Sequence, residues 1–203
     1  VFKGHEAGVR CVDISPLQSN NNGEKSNNIG VIGGNGYTIC SGSNDDTIRI
    51  WDIETAKQLI VFKGHKRCVD SVKYGSNELS NTILSGSYDK SVRLWDIRSN
   101  QQIQVFNGHT GQVRAVEYSP FVIRDSVGNS NVACSGSSDN TIRFWDIRSN
   151  KNELYVINGE KKKDKISCIK FLQLKKNRRN NNDSSYGITL CYGSKEGSIY
   201  FWG

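Results

Sequence analysis

The sequence predicts an all-β repeat protein, and two observations carry that prediction. Nearly the same stretch begins at Cys40, Leu84 and Cys134, and a shorter copy begins at Cys191. Within each copy, segments such as TIRIWDI at residues 47–53 alternate apolar and polar residues, which is typical of half-buried strands. Self-similarity at this period indicates units that must stack on their neighbours to bury their apolar faces.

Two recurring dipeptides then give a family resemblance. Gly-His precedes and Trp-Asp ends the most regular part of the copies, at Gly4-His5, Gly64-His65, Gly108-His109, Trp51-Asp52, Trp95-Asp96 and Trp145-Asp146. The chain resembles the WD-repeat β-propellers over essentially its whole length. The resemblance implies a propeller or propeller segment of four blades, each a four-stranded antiparallel sheet, in a closed or incomplete ring, whereas the family usually has about seven blades.

The repeats predict one domain over residues 1–203, with blades at about 5–62, 65–106, 109–157 and 159–203. With the family's strand order, blade 1 is expected to have strands at 9–15, 37–43, 47–53 and 58–62. Blade 4 stops after its third strand, so its fourth strand is missing or is supplied by residues 1–3. Because VFKGH at the start repeats VFKGH at residue 61, the chain looks cut from something longer or reduced to a minimal ring.

The six cysteines occupy matching repeat positions, and this pattern predicts their role. Cys40, Cys134 and Cys191 take a place that Leu84 fills in the second copy. There is no CxxC pair and no Cys/His cluster with zinc spacing, so buried thiols are favoured over disulfides or metal ligands. The sequence has no long apolar run and no signal-peptide layout, so we expect an intracellular protein, cytoplasmic or nuclear, without membrane contact.

The histidines are the residues that look most chemical. The resemblance implies one buried hydrogen-bonded tetrad in each of the first three blades: His5, Ser41, Asp45 and Trp51; His65, Ser85, Asp89 and Trp95; His109, Ser135, Asp139 and Trp145. Ser, His and Asp together also fit a catalytic triad. The structural interpretation is favoured because the set recurs in every one of these blades and because the Trp is expected to hydrogen-bond the serine hydroxyl. We therefore expect no enzyme, no catalytic residues, no cofactor and no metal.

Blade 4 departs from this pattern at every tetrad position. Glu160 stands where His is expected, Tyr192 replaces Ser, Glu196 replaces Asp, and Gly203 follows Trp202 in place of Asp. Two interpretations remain open: the blade is the least stable part of the protein, or it is remodelled as a site. Hydrogen exchange distinguishes them, because the first requires faster exchange in blade 4.

Three insertions lengthen the loops between the first and second strands of blades 1, 3 and 4. They comprise residues 18–36, 121–131 and 173–185. Asn, Gly and Ser at the density of the first and third insertions cannot build a core, so these two are expected to be mobile loops. In this fold all three lie on the face opposite the tetrad loops.

The net charge of +7 comes from one segment, since residues 160–179 hold nine Lys and Arg against two acidic residues. In the blade arrangement this segment divides between opposite faces. Lys161 to Lys165 lie on the tetrad side, and Lys175 to Arg179 lie on the other. A single nucleic-acid groove is therefore disfavoured, and aromatic residues that would stack on single-stranded bases are absent from these loops.

The resemblance also indicates which positions face solvent around the channel on the tetrad side. These candidate partner-binding positions are Gly8, Arg10, Asn44, Cys68, Asp70, Tyr88, Gln112, Arg114, Ser138, Lys165, Ser167 and Lys195. A basic rim with Tyr88 as its anchor suits acidic or phosphorylated peptides. We expect a non-catalytic protein-interaction scaffold. The alternative is a nucleic-acid-associated or ribonucleoprotein module that uses the basic loops of blade 4, and an open ring would also permit self-association.

Overall fold

A computed structural model describes residues 1–15, 37–125, 128–148, 153–161, 164–175 and 186–202. In these ranges the chain forms antiparallel sheets and one short 3₁₀ turn, Asn77–Leu79, with no α-helix. The predicted all-β class is confirmed, and the sheets are stacked as the blades of a propeller arc.

Each sheet follows the chain order of its strands. Sheet 1 contains β1 (Val9–Ile14), β2 (Thr38–Ser43), β3 (Thr47–Asp52) and β4 (Gln58–Lys63). Sheet 2 contains β5 (Val69–Tyr74), β6 (Thr82–Ser87), β7 (Val92–Asp96) and β8 (Gln101–Phe106). Sheet 3 contains β9 (Val113–Asp125), β10 (Gly128–Ser137), β11 (Thr141–Asp146) and β12 (Tyr155–Asn158), and sheet 4 contains β13 (Ile166–Lys175), β14 (Tyr186–Ser194) and β15 (Ile199–Trp202). The strands of blade 1 begin and end within one residue of the predicted bounds.

The turn between the second and third strand has one geometry in all four blades. A residue with positive φ occupies the same place in each, at Asp46 (66°), Lys90 (69°), Asn140 (65°) and Gly197 (84°). Side chains disfavour this left-handed conformation, so the first three blades hold it with hydrogen bonds, whereas blade 4 uses glycine. The turn places the neighbouring Asp of blades 1 to 3 beside the loop that precedes the blade.

The core lies between the blades rather than inside any one of them. Ile48 and Ile50 of β3 pack against Val69 and Val72 of β5, and these side chains are almost fully buried. The same kind of cluster joins blade 2 to blade 3 and blade 3 to blade 4. Contacts between first strands run from β1 to β5, from β5 to β9 and from β9 to β13. The four blades therefore form an open arc and not a closed ring.

The cysteines are all free, and their burial follows the blade junctions. Cys40 and Cys134 are fully buried between blades, as buried thiols should be. The prediction of a buried thiol is wrong for Cys168, which is exposed. Its side chain lies beside Gly193, on the side of blade 4 that no following blade covers.

The three insertions have different outcomes. Residues 18–36 and the central part of the third insertion, residues 176–185, lie outside the described residues. The second insertion lengthens a hairpin, because β9 and β10 remain paired as far as Asp125 and Gly128. A register shift between Asn131 and Val132 separates this extension from the regular part of the blade.

Candidate protein-binding surface

The structure brings the predicted tetrad residues of blades 1 to 3 together in three equivalent sets. In blade 2, the Trp95 Nε1–H donates to Ser85 Oγ at 2.8 Å. Ser85 Oγ lies 2.7 Å from His65 Nε2, and His65 Nδ1 lies 2.8 Å from Asp89 Oδ2. The corresponding distances in blades 1 and 3 are 2.7 to 2.9 Å.

The tetrad connects the loop before a blade to the turn between its second and third strands. Asp89 lies in that turn, where it accepts hydrogen bonds from the backbone N–H groups of Lys66 and Ser91, both at 3.0 Å. The Arg93 guanidinium lies 3.4 Å from the same carboxylate. Because Lys66 follows His65 directly, the carboxylate fixes the entry of the chain into β5.

Burial and hydrogen bonding set the charge state of the tetrad. Burial favours the neutral acid, but hydrogen bonds from His65 and Ser91 outweigh it and hold the pKa of Asp89 well below its ordinary value. Burial lowers the pKa of His65, although the hydrogen bond to Asp89 opposes this change. A neutral imidazole carries its proton on Nδ1 and accepts from the Ser85 hydroxyl on Nε2. Ser85 is fully buried, so this serine has no access to a substrate.

On the tetrad side of the arc, five of the candidate partner-binding residues form one network across blades 1 to 3. Arg10 Nε donates to Asp70 Oδ1 at 2.9 Å, and Arg114 Nη1 lies 3.9 Å from Asp70 Oδ2. The Arg114 guanidinium lies over the Tyr88 ring, 5.5 Å from its centroid. It also donates to Gln112 Oε1 at 2.9 Å.

This network leaves Arg10 as its accessible cation. The side chain of Arg10 is 42% exposed, whereas that of Asp70 is only 6% exposed between the two guanidinium groups. Asp70 therefore acts as a counter-ion that holds two arginines of neighbouring blades. Tyr88 is half-buried beneath Arg114 and supports that arginine.

Eight of the candidate positions share one backbone hydrogen bond in each blade. The residue before the turn donates its N–H to a carbonyl just before or at the start of the first strand: Asn44 to Gly8, Tyr88 to Cys68, Ser138 to Gln112, and Lys195 to Lys165, at 2.8 to 2.9 Å. Lys165 and Lys195 of blade 4 thus occupy positions equivalent to those of the other blades. The named rim positions carry four cations, Arg10, Arg114, Lys165 and Lys195, against the one buried carboxylate of Asp70.

Blade 4 connects the same loop and turn with a residue that the sequence did not single out. Asp164 precedes β13 and is buried, and its Oδ1 accepts from the backbone N–H of Lys165 at 2.8 Å and of Glu196 at 3.3 Å. A hydrogen bond from Ser194 lowers the pKa of Asp164. The carboxylate therefore reaches from the loop into the turn, the reverse of the arrangement in Asp45, Asp89 and Asp139.

Basic residues lie at both ends of one strand of blade 4. Lys161 and Lys165 precede β13, and Lys175 ends it. A ten-residue strand spans about 30 Å, so no compact ligand reaches from Lys165 to Lys175. In the ranges that the structure describes, no group of three or more His, Cys, Asp or Glu residues is arranged to hold a metal ion. No helix in these ranges is long and apolar enough to cross a membrane.

Comparison with known families agrees with this geometry. The family model described as "WD domain, G-beta repeat" matches residues 1–52, 56–96 and 100–146. The chain belongs to this family. WD-repeat proteins generally mediate protein interactions and are typically non-catalytic.

Known proteins that resemble the chain include one curated relative and one solved structure. The pre-mRNA-splicing factor PRP46 of Eremothecium gossypii is 32% identical over 65 residues, which is 32% of this chain and 11% of that protein. The matched part of this chain thus spans about a tenth of the length of that curated relative. The crystal structure of the computationally designed Ika4 protein superposes with a TM-score of 0.63 and 23% identity, covering all of this chain and 94% of the other. The second likeness shows the fold alone.

Proposed function

We propose that the chain is a non-catalytic scaffold that binds acidic or phosphorylated segments of other proteins on the tetrad side of the arc. The network of Arg10, Asp70, Arg114 and Tyr88 carries this proposal. It holds the two guanidinium groups in place before a partner arrives, which reduces the ordering cost of binding. Arginine also pairs with carboxylate and phosphate through two parallel hydrogen bonds.

The non-catalytic part of the proposal is supported by the tetrads. Each histidine has a partner on both ring nitrogens, and each tetrad serine accepts a Trp N–H while it is almost completely buried. A hydrolytic serine must be exposed beside an oxyanion site. Three copies of one arrangement, each tying a loop to a turn, fit a structural role.

The rim can be tested with a matched pair of arginine variants. Arg10→Ala removes the exposed cation, while Arg98→Ala removes an exposed arginine between β7 and β8, at the opposite end of its blade. The probes are three immobilised peptides: one rich in Asp and Glu, its phosphoserine counterpart, and a Lys-rich control. We expect Arg10→Ala to weaken capture of the two acidic peptides about tenfold, the loss of about 1.4 kcal/mol, and Arg98→Ala to leave it unchanged.

Two further measurements complete this experiment. The melting temperatures of both variants should match the parent chain, because neither side chain is buried. Arg10→Ala together with Arg114→Ala should weaken capture further. Equal capture by wild type and Arg10→Ala, or the same loss in Arg98→Ala, contradicts the proposed rim.

A second candidate function is a nuclear ribonucleoprotein module that uses the basic loops of blade 4. Two observations favour it: the excess of positive charge in residues 160–179 and the partial match to a protein named as a pre-mRNA-splicing factor. Binding through many phosphate contacts falls steeply as salt increases. This candidate is favoured if the chain is retained on single-stranded RNA and the retention is lost between about 50 and 200 mM salt. The double variant Lys161→Ala and Lys175→Ala should then abolish the retention. Acidic-peptide binding through one or two ion pairs changes much less with salt.

A further inference from the structure

Two apolar sheet faces, at opposite ends of the arc, are exposed in the structure of residues 1–203. The first, on blade 1, is the leading face and is formed by Val9, Val12 and Ile14, which are 53%, 63% and 58% exposed. The second, on blade 4, is the trailing face and is formed by Ile199 and Phe201, which are 69% and 65% exposed, around Gly193. A single protein rarely leaves such contiguous apolar faces in water.

The three junctions inside the arc show what each face is shaped to receive. A glycine on the second strand of one blade makes room for a branched side chain on the first strand of the next. A Cβ at Gly42 would lie 2.7 Å from Val69, one at Gly86 would lie 2.6 Å from Val113, and one at Gly136 would lie 2.7 Å from Ile166. The glycine is therefore required by the close approach of two blades.

The chain also carries both halves of a fourth junction. Gly193 is the corresponding glycine of blade 4, and a Cβ there would meet only Cys168 of its own blade. Val9 is the corresponding branched residue of blade 1, because it pairs with Ser43 as Val69 pairs with Ser87. Ile199 faces Gly193 as Ile48 faces Gly42, so Ile199 is placed to cover Val9 and Val12 in the way that Ile48 covers Val69 and Val72.

Charged residues at equivalent positions of the first strands would also pair at such a fourth junction. Lys73 of blade 2 lies 3.4 Å from Asp13 of blade 1, and Lys170 of blade 4 lies 2.7 Å from Glu117 of blade 3. The equivalent positions thus alternate in sign from blade to blade. Joining blade 4 to blade 1 places Lys170 beside Asp13, so opposite charges meet and no like charges are opposed.

The first residues of the chain fit the same junction. Phe62 of β4 stands opposite Ile48 and packs on Trp95 of the next blade, with ring centroids 5.3 Å apart. Phe2 packs on Trp51 in the same way, at 5.9 Å. By this equivalence Phe2 belongs opposite Ile199, where residues 1–3 would add a fourth strand to β15.

We propose that the occupant of both faces is a second copy of this chain, docked head to tail, with the leading face of each copy on the trailing face of the other. Within residues 1–203 the two faces lie at opposite ends of an open arc and do not meet each other. Two copies form two identical junctions and assemble eight blades, within the four to eight of closed propellers. Residues 1–3 of each copy then complete the three-stranded sheet 4 of the other.

The first test is the mass of the chain in solution. Sedimentation equilibrium between about 1 and 100 μM should show a species of twice the 22.7 kDa chain mass. Val12→Asp on the leading face and Ile199→Asp on the trailing face should each be monomeric. Ile103→Asp is the control, because Ile103 on β8 is equally exposed but belongs to neither face. It should remain dimeric, and all three variants should keep a cooperative unfolding transition.

Mixing the two monomeric variants tests the head-to-tail arrangement itself. A mixed pair of Val12→Asp and Ile199→Asp contains one junction with no substitution, so a heterodimer should form. Contact between identical faces would instead leave one variant dimeric when alone: Ile199→Asp if two leading faces meet, or Val12→Asp if two trailing faces meet. In both cases mixing the variants would give no rescue. Either pattern overturns the proposal. A wild-type chain that stays monomeric at 100 μM overturns it as well.

Discussion

Blade 2 and blade 4 have the same strand register but connect their loops differently. In blade 2 the turn residue Asp89 reaches out to the loop around His65, and Trp95 and Ser85 complete the tetrad. In blade 4 the loop residue Asp164 reaches into the turn. The sheet therefore forms without the tetrad. The connection between loop and turn uses a buried carboxylate in both blades, from the turn in blade 2 and from the loop in blade 4.

The largest effect that separates the two blades is expected at the tryptophan of the third strand. Trp95 is 1% exposed between blades, whereas Trp202 of blade 4 is 42% exposed. Trp95→Ala should lower the free energy of unfolding by about 3 to 5 kcal/mol, because it leaves a cavity and an unpaired Ser85 hydroxyl. Trp202→Ala should cost less than half as much. Urea unfolding at a concentration where the chain is monomeric measures both, and equal losses would contradict the contrast.

A smaller effect is expected at the position of the tetrad histidine. His65→Ala leaves the buried Ser85 and Asp89 without their shared partner, so stability should fall by about 1 to 3 kcal/mol. Glu160→Ala, at the exposed equivalent position in blade 4, should change stability by less than about 0.5 kcal/mol. Thermal unfolding detects this difference, and the peptide capture that survives folding should be unaffected. An unchanged melting temperature in His65→Ala would exclude the structural role proposed for the tetrad.

The features that the sequence predicted are those that repeat. Strand bounds in blade 1 followed from the family's strand order, and the sets around His5, His65 and His109 followed from fixed offsets within the family pattern. Repetition makes these features predictable because each copy packs against its neighbours in the same way. Equivalent positions can therefore be recognised by comparing the copies. The exposed Cys168 escaped prediction because its burial depends on whether another blade follows, and that is not a property of the repeat.

Features that occur once were not predictable in the same way. Asp164 has no counterpart in the other blades, although an acidic residue two positions before a first strand was a signal that could have been used. The pairing of Asp70 with Arg10 and Arg114 depends on side chains from three neighbouring blades. Predicting it requires the inter-blade spacing, which a strand pattern does not contain. Asp70 and Tyr88 support the arginines, a role that the sequence did not predict.

The smallest effect is expected from pH, and its sign follows from the His65 pKa. Folding lowers that pKa below the ordinary value of 6.5, so the unfolded chain takes up a proton that the folded chain resists. The stabilisation is therefore fully present above pH 6.5 and is lost as pH falls from that value through the lower pKa of the folded state. The pKa of Asp89 is also lowered, and its contribution is lost only at more acidic pH, below about 4.

Urea unfolding of wild type and His65→Gln at pH 7.5, 6.5 and 5.5 isolates this contribution. The stability advantage of wild type should shrink as pH falls, because only wild type has an unfolded state that gains a proton at residue 65. The difference between wild type and Glu160→Gln should stay constant over the same range, since blade 4 has no histidine at this position. An advantage that grows on acidification would mean that His65 is protonated in the folded chain and that its ion pair with Asp89, rather than a neutral hydrogen-bonded chain, stabilises the blade.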